Sequence, residues 1–112
     1  MTGGAANPWS GEVALTLDGQ CHALKLTLGA LVELEQALGA DSLVALVERF
    51  EGGRFSARDV MAVLLAGLHG AGHPVTAAAL VAAEIAGGPI EAARAAGLLL
   101  ARAFALPDGD GA

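Results

Sequence analysis

Tyrosine is absent from this chain, and the other aromatic residues number four: Trp9, Phe50, Phe55 and Phe104. Charge is sparse as well, at 16% of 112 residues against a typical ~25%. A single cysteine, Cys21, rules out an internal disulfide and leads us to expect a cytoplasmic setting. The longest apolar run, Val60 to Leu68, is far shorter than the ~18 residues that suggest a membrane span. The opening Met-Thr-Gly-Gly has no basic segment followed by an apolar one, so no secretory leader is read there. Bases are scarce: Lys25, Arg49, Arg54, Arg58, Arg94 and Arg102 stand against 12 acids, for a net charge of −6. Binding nucleic acid depends on neutralising phosphates, and an anionic membrane surface makes a similar demand. Neither is expected as a direct partner.

What the chain does have is small and branched aliphatic residues. It is 54% hydrophobic, with 26 Ala and 18 Leu, so its interior is built from Leu, Val and Ala and favours closely packed helices. The length fits one domain. So little charge leaves some apolar surface exposed, a first pointer to a protein partner. We expect a flexible N-terminus over residues 1–8, a single globular domain over 9–106 and a disordered acidic tail over 107–112, Pro-Asp-Gly-Asp-Gly-Ala.

The pattern predicts an α+β fold, mostly α, with an N-terminal β-hairpin packed on four to five short helices. Val13, Leu15 and Leu17 alternate with polar or small residues, Asp18-Gly19 gives a hairpin turn, and alternation resumes at His22, Leu24, Leu26 and Leu28. Two strands alone are marginal in water, so their apolar face needs the helices as cover. Thr27 is placed to cap a first helix with Leu31, Leu34 and Leu38 inward, ended by Gly39. Asp41 or Ser42 caps a second with Leu43, Leu46, Val47 and Phe50 at helical spacing, stopped by Gly52-Gly53. Ser56 and Asp59 form a capping-box pattern before Val60, Val63, Leu64 and Leu68, and Gly67 would admit a close neighbour. Thr76 caps a short fourth helix with Leu80, Val81 and Ile85 inward, ended by Gly87-Gly88. A fifth helix opens at Pro89 and runs to about Leu106 with Ile90, Ala93, Gly97, Leu100 and Phe104 on one side.

Constellations that could carry chemistry are weak. His69 and His73 have the spacing of a helical metal pair, but Gly70, Gly72 and Pro74 argue against a helix there, and loop histidines are the better reading. Cys21 has no basic neighbour closer in sequence than Lys25 to activate it. Gly67, Gly70 and Gly72 lack the Lys-Ser/Thr ending of a phosphate loop. Glu33 and Glu35 point to different sides of a helix, while Glu48 and Glu51 beside Arg49 suit a solvated face. No catalytic residue, cofactor or metal is expected, and the chain is not read as an enzyme. Spare apolar surface remains. Val44 lies away from the Leu43/Phe50 stripe, and Leu98-Leu99-Leu100 is wider than one packing seam. Trp9, Val44, Arg54, Phe55 and Leu99 are the candidate partner-binding residues.

Several ordered words then accumulate: Asn7-Pro8-Trp9-Ser10-Gly11-Glu12, Leu17-Asp18-Gly19, Leu26-Thr27-Leu28-Gly29-Ala30-Leu31, Ser42-Leu43-Val44, Gly52-Gly53-Arg54-Phe55-Ser56 and Arg58-Asp59-Val60. In this order they resemble the small tail proteins of gene transfer agents and related prophages, a family grouped with phage tail-assembly chaperones and in older labels called tail tube proteins. The resemblance covers about residues 7–70, and the helical end through Pro107 is similar too. The chain departs from the family at Gln20-Cys21-His22 and over Gly70–Thr76. The resemblance implies a non-enzymatic assembly chaperone that coats the tape-measure protein and recruits tail tube subunits. The spare apolar helix faces, with Trp9, Arg54 and Phe55 at a rim, are the expected contact with that partner. Its alternative is a structural tail tube component of the mature particle. Both imply phage-like tail proteins as partners, with self-association left open.

Overall fold

The structure is a computed structural model and describes residues 11–104. The expectations for residues 1–8, Trp9 and the 107–112 tail therefore lie outside the described residues. Two antiparallel strands, β1 (Val13–Leu17) and β2 (Gln20–Leu24), precede five helices: α1 (Leu28–Leu38), α2 (Leu43–Glu51), α3 (Ala57–Gly70), α4 (Ala77–Ala82) and α5 (Gly88–Phe104). The expected class, mostly helical with a leading hairpin, is the one observed.

Leu17 pairs with Gln20, leaving Asp18 and Gly19 as a two-residue loop. Both have positive φ, 50° and 81°, the pair of left-handed residues that matches the twist of the flanking strands. Val13, Leu15 and Leu17 are buried, and Leu24 faces the same core. The outer edge of β1 is also paired at its turn end. Leu17 forms an antiparallel bridge with Ile85, Asp18 N donates to Glu84 O at 2.8 Å, and Ala86 N donates to Thr16 O at 3.1 Å. The Asp18 carboxylate accepts from Glu84 N at 2.9 Å. A segment between α4 and α5 thus covers the Thr16–Asp18 end of the edge that an isolated hairpin would leave open.

The helix starts follow local chemistry. The hydroxyls of Thr27, Ser42, Ser56 and Thr76 accept from the backbone N–H of Ala30, Ala45, Asp59 and Ala79, each bond satisfying an orphan donor of the first turn. Ser56 N in turn donates to the Asp59 carboxylate at 2.9 Å, completing the capping box. Gly39, with φ 66°, ends α1.

Helix α3 is the centre of the packing, touching α1, α5, β2 and α4, while α5 also meets β1 and α2. Two glycines make this possible. A Cβ on Gly67 would sit 2.9 Å from Leu99 Cδ1 and 3.3 Å from Leu24 Cβ; one on Gly70 would overlap the Lys25 carbonyl oxygen. The chain leaving β2 runs across both, and Lys25 N donates to Gly67 O at 3.0 Å.

Three expected faces need correction. On α5 the buried residues are Ala92, Ala95, Ala96, Leu99 and Leu100, whereas Ile90 is 83% and Phe104 42% exposed. The inward face is rotated because Leu99 fills the space that Gly67 leaves and a run of Ala allows close approach to α3. Val81 on α4 is exposed and only Leu80 is buried, since a helix of six residues offers one seam. Helix α4 itself ends at Ala82, before the Gly87-Gly88 pair, and α5 begins at Gly88. Leu28 is exposed because β2 ends at Leu24 and Leu28 opens α1 instead of extending the strand.

Candidate functional site

The partner-binding candidates part company in three dimensions. Val44, in the first turn of α2, is exposed. Arg54 is exposed in the α2–α3 loop, its guanidinium lying over Gly52. Phe55 is half-buried and stacks on Phe50 with ring centroids 4.7 Å apart. Leu99 is fully buried and cannot meet a partner; it is a core residue between α5 and α3. The Leu98–Leu100 run is wide because α5 packs against α3, β1 and α2, with Leu98 half-buried and Leu99 and Leu100 buried. Trp9 lies outside the described residues.

The two histidines of interest serve different local contacts. His69, in the last turn of α3, has Nδ1 2.8 Å from a Glu33 carboxylate oxygen and Nε2 2.6 Å from the Val75 carbonyl. Acceptors at both ring nitrogens favour the imidazolium. The Val75 carbonyl is the main cause of a raised pKa, Glu33 adds to it and burial opposes it. His73 Nε2 donates to Ala23 O at 3.2 Å, and its ring meets His22 edge-on. No group of three or more His, Cys, Asp or Glu suited to a metal ion occurs among the described residues. Gly67 and Gly70, which superficially suggest a phosphate loop, are points of close backbone approach.

Arg49 ties α2 to the start of α3. Its Nε and Nη2 each lie 3.0 Å from a different Asp59 carboxylate oxygen, and Nη1 reaches Asp41 at 3.5 Å. The guanidinium holds the Asp59 carboxyl below its ordinary range, with burial opposing and Ser56 assisting. Glu91 and Arg94 form an exposed pair along α5, at 2.6 Å.

The feature that stands out as a contact surface is a groove of about 730 Å³, lined by Phe55, Ala57, Val60, Met61, Ala83, Glu84, Ile85, Gly88, Pro89 and Ala93. It lies where the start of α3, the segment after α4 and the start of α5 meet. Ala57 and Met61 also wall a second hollow of about 570 Å³, which contains Leu38, Asp41, Arg58, Asp59 and Val81. The first groove is mainly apolar, with Glu84 its one acid. In the second, Asp41 and Asp59 are engaged by Arg49, whereas Arg58 is exposed and makes no ion pair within the described residues. Exposed Val81 and Ile90 stand on two of the elements that frame the grooves. Of the candidates named from sequence, Phe55 lines the first groove. The rest were missed because the wall joins residues about 30 apart in the chain, and no local pattern marks them.

A family model described as phage tail tube protein, GTA-gp10, matches residues 10–106. No curated protein and no solved structure matches. The match corrects the assembly-chaperone reading: the family is described as a tail tube protein, a structural component, and nothing in it supports a chaperone. It places the partners among other phage-like tail proteins. Spanning nearly all of the chain, it shows that this protein belongs to the gene transfer agent and phage tail tube protein family.

Proposed function

We propose that this protein is a non-enzymatic structural component of a phage-like tail and remains in the mature particle. The observation that carries the reading is the tail tube family match over residues 10–106. The exposed apolar residues Val44, Val81 and Ile90 and the aliphatic groove between α3 and α5 support it, because a small domain that stays assembled needs surface to bury. Tail tube subunits and the tape-measure protein they enclose are the partners this role implies. The acidic balance of −6 is poorly suited to direct contact with the packaged nucleic acid. Quantitative mass spectrometry of purified particles tests the proposal. We expect this chain at a fixed, many-copy ratio to the other tail proteins. Its presence in cell lysate but not in finished particles would overturn the reading.

A further inference from the structure

We infer that the groove between α3 and α5 receives the C-terminal segment of a second copy of this chain, with Leu106 in the apolar part and Asp108 and Asp110 toward Arg58. The inference rests on reading the groove as a tail contact surface, and it names the occupant. Two observations point to this segment. The first is chemical. Residues 105–112 read Ala-Leu-Pro-Asp-Gly-Asp-Gly-Ala, one large apolar residue followed closely by two acids. The surface offers the complement in the same order: Phe55, Met61, Ile85 and Pro89 line an apolar groove, and Arg58 lies beyond the shared Ala57/Met61 wall. Glu84 is the one acid of the first groove, and the two acids of the hollow around Arg58, Asp41 and Asp59, are both held by Arg49. From Leu106 to Asp110 an extended chain covers about 13 Å, roughly the width of a helix with its side chains.

The second observation is reach. The described part of α5 ends at Phe104, and the last α5 residue in the groove is Ala93. At a rise of about 1.5 Å per residue these are about 16 Å apart. Leu106 follows Phe104 by two residues, a span of about 7 Å. A chain cannot place its own Leu106 between its own Ala93 and Pro89, but a neighbour can. Such a contact joins different surfaces on the two copies, a head-to-tail relation that repeats into rings or filaments.

The experiment uses the full-length chain with Leu106→benzoylphenylalanine, mixed as nitrogen-15-labelled and unlabelled protein, illuminated and analysed by mass spectrometry. We expect mixed-isotope crosslinks from position 106 to residues 55–61 or 85–93. Ala57→Glu places a charge on the shared wall at a helix start that tolerates it, and its crosslink yield should fall at least fivefold with the far-ultraviolet spectrum unchanged. Arg58→Glu should lower the yield about threefold, and Asp108→Arg with Asp110→Arg should restore it. Crosslinks confined to single chains, directed elsewhere or absent would overturn the inference. If they are absent while the chain is abundant in purified particles, the docking fails and the tail reading stands. If they form while the chain is missing from particles, the tail reading fails alone.

Discussion

Gly70 shows how much a single hydrogen can decide. Its missing side chain lets the Lys25 carbonyl lie against α3, and backbone cannot swing aside as a side-chain tip can. Gly70→Ala should therefore cost about 1–3 kcal/mol, read as a lower urea midpoint at unchanged slope. At the other end of α3, Ser56→Ala should cost about 1 kcal/mol through loss of the cap. Asp59→Ala should cost more than Ser56→Ala, because it also removes both hydrogen bonds from the Arg49 guanidinium. His69 gives a pH dependence. Its folded pKa is raised, while the unfolded imidazole titrates near ~6.5. The contact with Glu33 and Val75 therefore stabilises fully below about pH 6.5, and the contribution is lost as pH rises through the higher folded value. The pair is partly solvated, so the effect should stay under about 1 kcal/mol. Urea midpoints of the parent and His69→Gln should differ at pH 5.5 and converge by pH 9.

The elements divide into those legible in the sequence and those settled only by packing. The hydroxyl caps read from sequence at Thr27, Ser42, Ser56 and Thr76 each make their hydrogen bond, with Ser42 and not Asp41 capping α2, because capping depends on residues three apart. The Asp18-Gly19 turn was equally legible, since left-handed backbone at two successive positions restricts the residues that fit. The inward face of α5 was not. An Ala-rich helix offers little contrast around its circumference, and large residues near helix starts such as Leu28 and Ile90 mislead when no neighbour reaches that turn. The groove was illegible for a related reason: Met61, Ile85 and Pro89 become neighbours only through the crossing of α3 and α5. Exposure then separates two kinds of leucine-like position. Leu99→Ala should lose about 2–5 kcal/mol, whereas Val44→Ser and Ile90→Ser should stay within about 0.5 kcal/mol. Thermal melts of the three variants distinguish them, and only the first should shift markedly.

At the scale of the whole molecule, the low charge and high apolar content leave large apolar residues on the surface as well as in the core. The core accounts for Leu98–Leu100, and the large apolar residues left outside, Leu28, Val32, Val44, Val81, Ile90 and Phe104, are spread over four different helices. Closure of the fold, by contrast, is internal and runs from one end of the chain to the other. Asp18→Gly keeps the turn conformation and removes the acceptor for Glu84 N, so it should cost about 1 kcal/mol. It should also speed hydrogen exchange at the Glu84 and Ala86 amides. The bond between Asp18 and Glu84 joins residues 66 apart, and this has a consequence during synthesis. A chain made from its N-terminus presents the alternating Val13–Leu17 edge to its surroundings long before Ile85 emerges to pair with its Leu17 end. Nascent chains crowded on one message therefore carry the means to pair with one another in that interval. The hazard is set by the order in which the residues emerge, and the finished molecule carries no trace of it.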